Sequence, residues 1–170
     1  MPPELGAVPG TGPSAGGAAR LSPGDVACWV LKSSRPPADL SPGGAAPAAR
    51  RLDRCVRRSY RLGLMAAGQP CLLWLSGRDR PGVHALGEIA GDVDEGPGGP
   101  AVPVRLSLLD APIPRADLLA DPRMRDAEVL RMPAGSNPSW LSAGQFAAVL
   151  DRVPDGVHHP RRPGRGPWEP

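Results

Sequence analysis

Lysine is almost missing from this chain. Lys32 is the only one, and every other basic side chain is arginine. Aromatic residues are scarce, with four Trp, one Tyr and one Phe in 170 residues. The three cysteines, Cys28, Cys55 and Cys71, are widely spaced and form no C-x-x-C pair, which excludes a zinc ribbon and a redox motif. No apolar run approaches the roughly 20 residues needed to span a bilayer. No charged N-terminal segment leads into an apolar one, so no secretory signal is read and the expected compartment is the cytoplasm, away from any membrane. Catalytic signatures are missing too. There is no G-x-x-x-x-G-K-S/T phosphate loop and no H-E-x-x-H zinc helix. No enzyme, metal or cofactor is therefore expected.

What is abundant is proline and glycine, 24 and 22 residues respectively. Their placement is uneven. Residues 1–24, 35–49, 95–101 and the end from Pro154 are rich in Pro, Gly, Ala and Ser, while the segments between carry Leu, Val, Ile and Trp. One domain over residues 25–153 is expected, with a Pro/Gly-rich loop at 35–49. Tails at 1–24 and 154–170 read as disordered, because such segments cannot bury enough apolar surface to offset the entropy of ordering. The net charge of +3 is modest. A GC-rich, bacterial-like coding bias accounts for the Ala, Gly, Pro and Arg, and it makes a lysine that stayed lysine notable.

Apolar patterning places the elements. Ala27 to Lys32 reads as a strand, and Cys71 to Ser76 as a central strand buried on both faces. Val83 to Ala90 follows a Gly/Pro turn and completes a hairpin with it. Val102 to Leu109 alternates as a half-buried strand. Glu128 to Met132 reads as a further one. Ala48 to Met65 reads as a helix, with Leu52, Cys55, Val56 and Tyr60 on one face and a run of arginines opposite. Pro114 to Leu119 reads as a short helix. Ser142 with Gln145 makes a capping box for another. Strands follow one another without regular helical crossovers, so the class is α+β or an open barrel rather than a doubly wound sheet.

The aromatics stand beside polar groups. Trp29 leads to Lys32, Ser33 and Ser34. Tyr60 follows Arg58 and Ser59, Trp74 leads to Ser76 and Gly77, and Trp140 follows Asn137, Pro138 and Ser139. Any one tryptophan is as readily core as pocket wall, and Trp168 belongs to the tail. A planar ring with a few donors suits a nucleobase. His84 reads as a structural strand residue, although a Cys71–His84 nucleophile pair is conceivable on adjacent strands. His158 and His159 read as solvated.

Trp29-Val30-Leu31-Lys32-Ser33-Ser34-Arg35-Pro36 resembles the opening Trp-x-x-Lys-Ser-x-x-Pro of EVE domains, in the PUA-like superfamily. Arg58-Ser59-Tyr60-Arg61 is similar to that family's Arg-Asn-Tyr segment, and Cys71 to Gly77 to its central strand ending in Ser-Gly. His84 to Ile89 is similar to its Gly-x-Gly-Glu-Val strand, and Val129 to Trp140 to its closing Arg–Ser–Val region. Two features depart. The family's Trp-Asp-Gly-Val is Arg54-Cys55-Val56-Arg57 here, and its Tyr-His is Trp74-Leu75, so ligand preference does not carry over.

The resemblance implies a PUA-like curved β-barrel of about five to six strands with flanking short helices, and a pocket for a base, often a modified one. EVE domains are related to YTH domains, which read methylated adenine in RNA. The implied ligand is a flipped base of DNA or RNA. Trp29, Tyr60, Trp74 and Trp140, with Gly77 and Pro138, would line the pocket. Lys32, Ser33, Ser59, Ser76 and Asn137 would bond the base edge, and Arg54, Arg57, Arg58 and Arg61 would contact phosphates. A protein-interaction or small-ligand module on the same fold is the alternative. An enzyme using Lys32 or His84 as acid or base is the third reading. Oligomeric state is not legible.

Overall fold

A computed structural model of the protein describes residues 19–34 and 50–154. The loop at 35–49, residues 1–18 and 155–170, and with them Trp168, His158 and His159, lie outside the described residues.

Seven strands form one mixed sheet. They are β1 (Cys28–Ser33), β2 (Arg50–Cys55), β3 (Pro70–Leu75), β4 (Gly82–Ile89), β5 (Asp94–Gly96), β6 (Gly99–Pro114) and β7 (Ser139–Leu141). Three short helices accompany them: α1 (Arg115–Leu119), α2 (Glu128–Arg131) and α3 (Ala143–Leu150). The hydrogen-bonded order is β2-β6-β4-β3-β1-β7, with β5 paired to β6. Among the described residues this path has two ends and does not close, so the expected barrel is an open sheet.

Period-two alternation divides the core between the faces. On one face Cys28, Val30, Leu72, Trp74 and Leu86 pack with Leu118, Val129, Phe146 and Val149 of the three helices. On the other, Trp29, Leu31, Cys71, Leu73, Ala85 and Ile89 pack with Val102, Val104 and Leu106 of β6. Strand β3 is buried at every position from Cys71 to Leu75, which is why its sequence is a continuous apolar run. It pairs antiparallel with β4, as the hairpin reading requires, and parallel with β1. Gly87 of β4 is obligatory, because a Cβ there would overlap the Arg105 carbonyl of β6.

The structure corrects two elements. The helix expected over 48–65 is strand β2 followed by a 3-10 turn, Tyr60–Leu64. Leu52 packs on the second core while Arg51 and Asp53 are exposed, a strand's alternation that the i, i+3 spacing of Leu52 and Cys55 imitates. The strand expected at 128–132 is helix α2, with Val129 and Leu130 buried. Short apolar runs carry both patterns at once, and the third dimension decides. The capping box is present: Gln145 Oε1 accepts from the Ser142 N–H at 3.0 Å.

Candidate binding site

Parallel pairing of β1 and β3 brings their carboxyl ends side by side. The Ser76 N–H donates to the Ser33 carbonyl at 2.9 Å, and a Cβ on Gly77 would sit 3.2 Å from the Ser34 carbonyl oxygen. The Lys-Ser and Ser-Gly motifs, more than 40 positions apart in the chain, thus form one mouth. Lys32 lies across from Trp74 in this register, on the helix-covered face.

The segment between α2 and β7, residues 132–138, folds over this mouth. The Lys32 ammonium donates to the carbonyls of Met132 and Pro133, each at 3.2 Å. Asn137, which precedes Pro138 through a cis peptide bond, joins three segments. Its Oδ1 accepts from the Lys32 N–H at 3.0 Å, its Nδ2 donates to the Cys55 carbonyl at 3.2 Å, and its own carbonyl accepts from the Arg57 N–H at 2.6 Å. Behind it lies an ion pair. Arg61 donates from both terminal nitrogens to Glu128, at 2.8 and 2.9 Å, and also to the Pro138 carbonyl at 3.1 Å. The Ser139 hydroxyl donates to the same carboxylate at 2.7 Å.

Electrostatics follow from this packing. Burial lowers the Lys32 pKa from its ordinary value; Glu128 opposes the shift, and the positive charges of Arg57 and Arg61 reinforce it. Burial is also the largest influence on the Glu128 carboxyl and pushes it up. Hydrogen bonds from Arg61 and Ser139, with the charges of Arg61 and Lys32, outweigh that, and the net shift is downward. The cluster sets three cations against one carboxylate.

The three tryptophans do not share one cavity: Trp29 and Trp140 lie together on one face of the sheet and Trp74 on the other. Trp29 and Lys32 are three residues apart on one strand, so their side chains leave by opposite faces. Trp29 is 0% exposed in the second core, and its indole N–H donates to Gln69 Oε1 at 2.7 Å. It is a core residue with its polar atom satisfied. Trp74 is 2% exposed in the first core, beside Lys32. Trp140 is Trp29's register partner and packs half-buried on the second core. Tyr60 is the exposed aromatic among the described residues, with its hydroxyl accepting from the Leu21 N–H at 3.0 Å and the Arg20 guanidinium 4.4 Å from its ring centre.

The arginines also separate. Arg57 is exposed beside Asn137. Arg58 is exposed and paired with Glu95 on the surface, a contact of little net strength. Arg54 is half-buried with an unpartnered Nε. Arg61 is committed to Glu128. Ser59 is exposed at the start of the 60–64 turn, where its side chain makes no cap bond. The Cys71–His84 pair is not formed: Cys71 is fully buried opposite Gly87, and His84 Nε2 lies 2.7 Å from the Arg80 carbonyl. Among the described residues no group of three or more His, Cys, Asp or Glu could hold a metal, and no helix is long and apolar enough to cross a membrane.

Glu128 and Ser139 were missed in the sequence. An acid inside the apolar run Ala127–Leu130 was the available signal, since a carboxylate in such company needs a partner.

No protein-family model matches the sequence, and no curated protein matches it either. Solved structures do. A protein of Pseudomonas putida superposes with a TM-score of 0.59 at 16% identity, covering 74% of this chain and 98% of that one. The DUF55 domain of human thymocyte nuclear protein 1 superposes with a TM-score of 0.56 at 18% identity, covering 73% and 96%. Human THYN1 protein in complex with 5-methylcytosine-containing DNA superposes at only 0.49, too loosely to bear on this chain. The likeness establishes the fold: the chain shares the fold of the DUF55 domain.

Proposed function

We propose that this protein is a non-catalytic nucleic-acid-binding module that receives a base extruded from DNA or RNA, with a modified base as its preferred ligand. The observation that carries the reading is the single mouth at the ends of β1 and β3. There the Lys-Ser and Ser-Gly motifs meet, Lys32 and Arg61 act on the Glu128 carboxylate, and exposed Arg57 stands beside Asn137. Extrusion costs a few kcal/mol. Exposed Arg57 and Arg58 offset part of that through phosphate contacts, which weaken with salt. Trp74, at 2% exposure, serves as the floor beside Lys32 rather than as a stacking face.

Titration of labelled oligonucleotides, with and without methylated cytosine or adenine, tests this. Arg57→Ala is expected to weaken binding to all sequences alike and to flatten the dependence of log K on log salt by roughly one. Absence of binding at low salt would sink the proposal. One separate observation favours the small-ligand or protein-interaction alternative. An apolar cavity of about 300 Å³ is lined by Arg80, Pro81, Pro112, Pro114, Arg115 and Ala116, none of them a residue assigned to the mouth. Binding unaffected by every change at the mouth would point there.

A further inference from the structure

We infer that Glu128 is a specificity-determining positioning residue: it withdraws Arg61 from phosphate binding and fixes the 137–139 wall of the mouth. The inference rests on the nucleic-acid reading above. Glu128 lies on α2, and its carboxylate is the meeting point of two other elements, the 60–64 turn through Arg61 and β7 through Ser139. Arg61 returns to the same wall by donating to the Pro138 carbonyl. One carboxylate therefore closes a ring of bonds through Arg61, Pro138 and Ser139. The pair keeps only 14% and 16% exposure, so water does little to loosen it.

The charge consequence follows from geometry. A fork-to-fork pair uses both carboxylate oxygens and both terminal nitrogens of the guanidinium. While the pair holds, the Arg61 charge is balanced by Glu128, so a phosphate gains little from approaching it. Sequence-independent affinity grows with the number of phosphates neutralised. Discrimination between bases depends instead on groups held in place. Glu128 thus restrains the first and secures the second.

The test uses the full chain as wild type, Glu128→Gln and Ser139→Ala, with single-stranded oligonucleotides containing cytosine, 5-methylcytosine, adenine or N6-methyladenine. Glu128→Gln keeps the shape of the side chain and releases the Arg61 charge. Its salt dependence is expected to steepen by about 0.7 in log K against log salt. The ratio of best to worst oligonucleotide is expected to fall toward one. Ser139→Ala leaves the ion pair intact, so the ratio falls while the slope stays at the wild-type value. A readout independent of binding is available because Lys32 is the only lysine. A lysine carbon-13 titration gives one signal for it, whose midpoint drops in Glu128→Gln when the neighbouring carboxylate charge is removed. If Glu128→Gln fails to fold, Ser139→Ala carries the test, and an unchanged ratio there overturns the inference. Wild type that binds, with slope, ratio and midpoint unmoved in folded Glu128→Gln, overturns the inference alone. Wild type that binds none of the oligonucleotides overturns the nucleic-acid reading and this inference together.

Discussion

Asn137→Ala is expected to lower stability by about 1–3 kcal/mol, because one side-chain amide holds the 132–138 segment to two strands. Its Oδ1 accepts from the Lys32 N–H of β1 at 3.0 Å, and its Nδ2 donates to the Cys55 carbonyl at the end of β2 at 3.2 Å. A third contact, to the Lys32 carbonyl at 3.5 Å, is at the limit of a bond and adds nothing to the sum. Each well-made bond contributes about 0.5–1.5 kcal/mol net, which sets the range. Half-burial lets water reach the abandoned groups, so the penalty for orphaned polar atoms stays below its full value. The bond from the Arg57 N–H to the Asn137 carbonyl survives the change. Urea unfolding followed by tryptophan fluorescence measures the effect as a shifted midpoint at constant slope. Asn137→Asp separates the two bonds. It keeps the acceptor for Lys32 and loses the donor to Cys55, whose carbonyl then faces a carboxylate. That variant is expected to be at least as unstable as Asn137→Ala at neutral pH. An Asn137→Ala protein within about 0.5 kcal/mol of wild type would show that the segment is not held by this amide, and the account of the mouth would fall.

Trp74→Ala is expected to cost about 3–5 kcal/mol by urea unfolding, since the ring is 2% exposed. Binding lost in that variant would report unfolding; Trp74→Phe keeps most of the volume and is the fair probe, and a loss under about 1 kcal/mol for Trp74→Ala would place the ring outside the core. Acid is expected to destabilise the fold through two carboxylates held low. Asp121 is lowered chiefly by the Arg123 side chain, and Glu128 is lowered on balance by Arg61 and Ser139. A depressed folded pKa contributes stability that is complete above the ordinary carboxylate range and lost as pH falls below about 4. Thermal melts should be level near pH 6 and drop between about pH 4 and 2, with a shallower drop in Asp121→Asn; equal drops would remove Asp121 from the account.

Much of the sheet was legible because its strands announce themselves singly. Cys71–Leu75 is apolar at every position, and β4 opens after the turn on Gly82, whose φ of +148° belongs to the region glycine tolerates. The ends of the chain's order were less so. Strand β2 hid behind arginines that give a helix-like spacing, and β7 is only Ser139–Leu141, too short to show a period. The parallel pairing of β1 with β3 left no local mark either, since register between distant strands is set by packing. The tryptophan pocket failed for a reason already present in the sequence. Trp29 and Lys32 lie three apart on a strand, and a period of two separates them.

Lys32 stands in the structure with most of its donors already directed at the protein itself. As a free donor beside an aromatic wall, it would have offered three hydrogens to a ligand. Two of them are directed at the Met132 and Pro133 carbonyls. A compact ammonium can converge on two neighbouring carbonyls while half-buried, whereas arginine's longer planar fork spreads its donors apart. That requirement explains a lysine retained in a chain where every other basic side chain is arginine. Asn137 is spent in the same way, on Lys32 and Cys55. Two of the residues expected to read a base, Lys32 and Asn137, therefore hold the 132–138 segment in place. On the proposed function, recognition would fall to the remaining Lys32 hydrogen, to exposed Arg57 and to the main chain of that segment. Changes at Lys32 and Asn137 would alter selectivity by moving that main chain, even where no side-chain contact to ligand is lost.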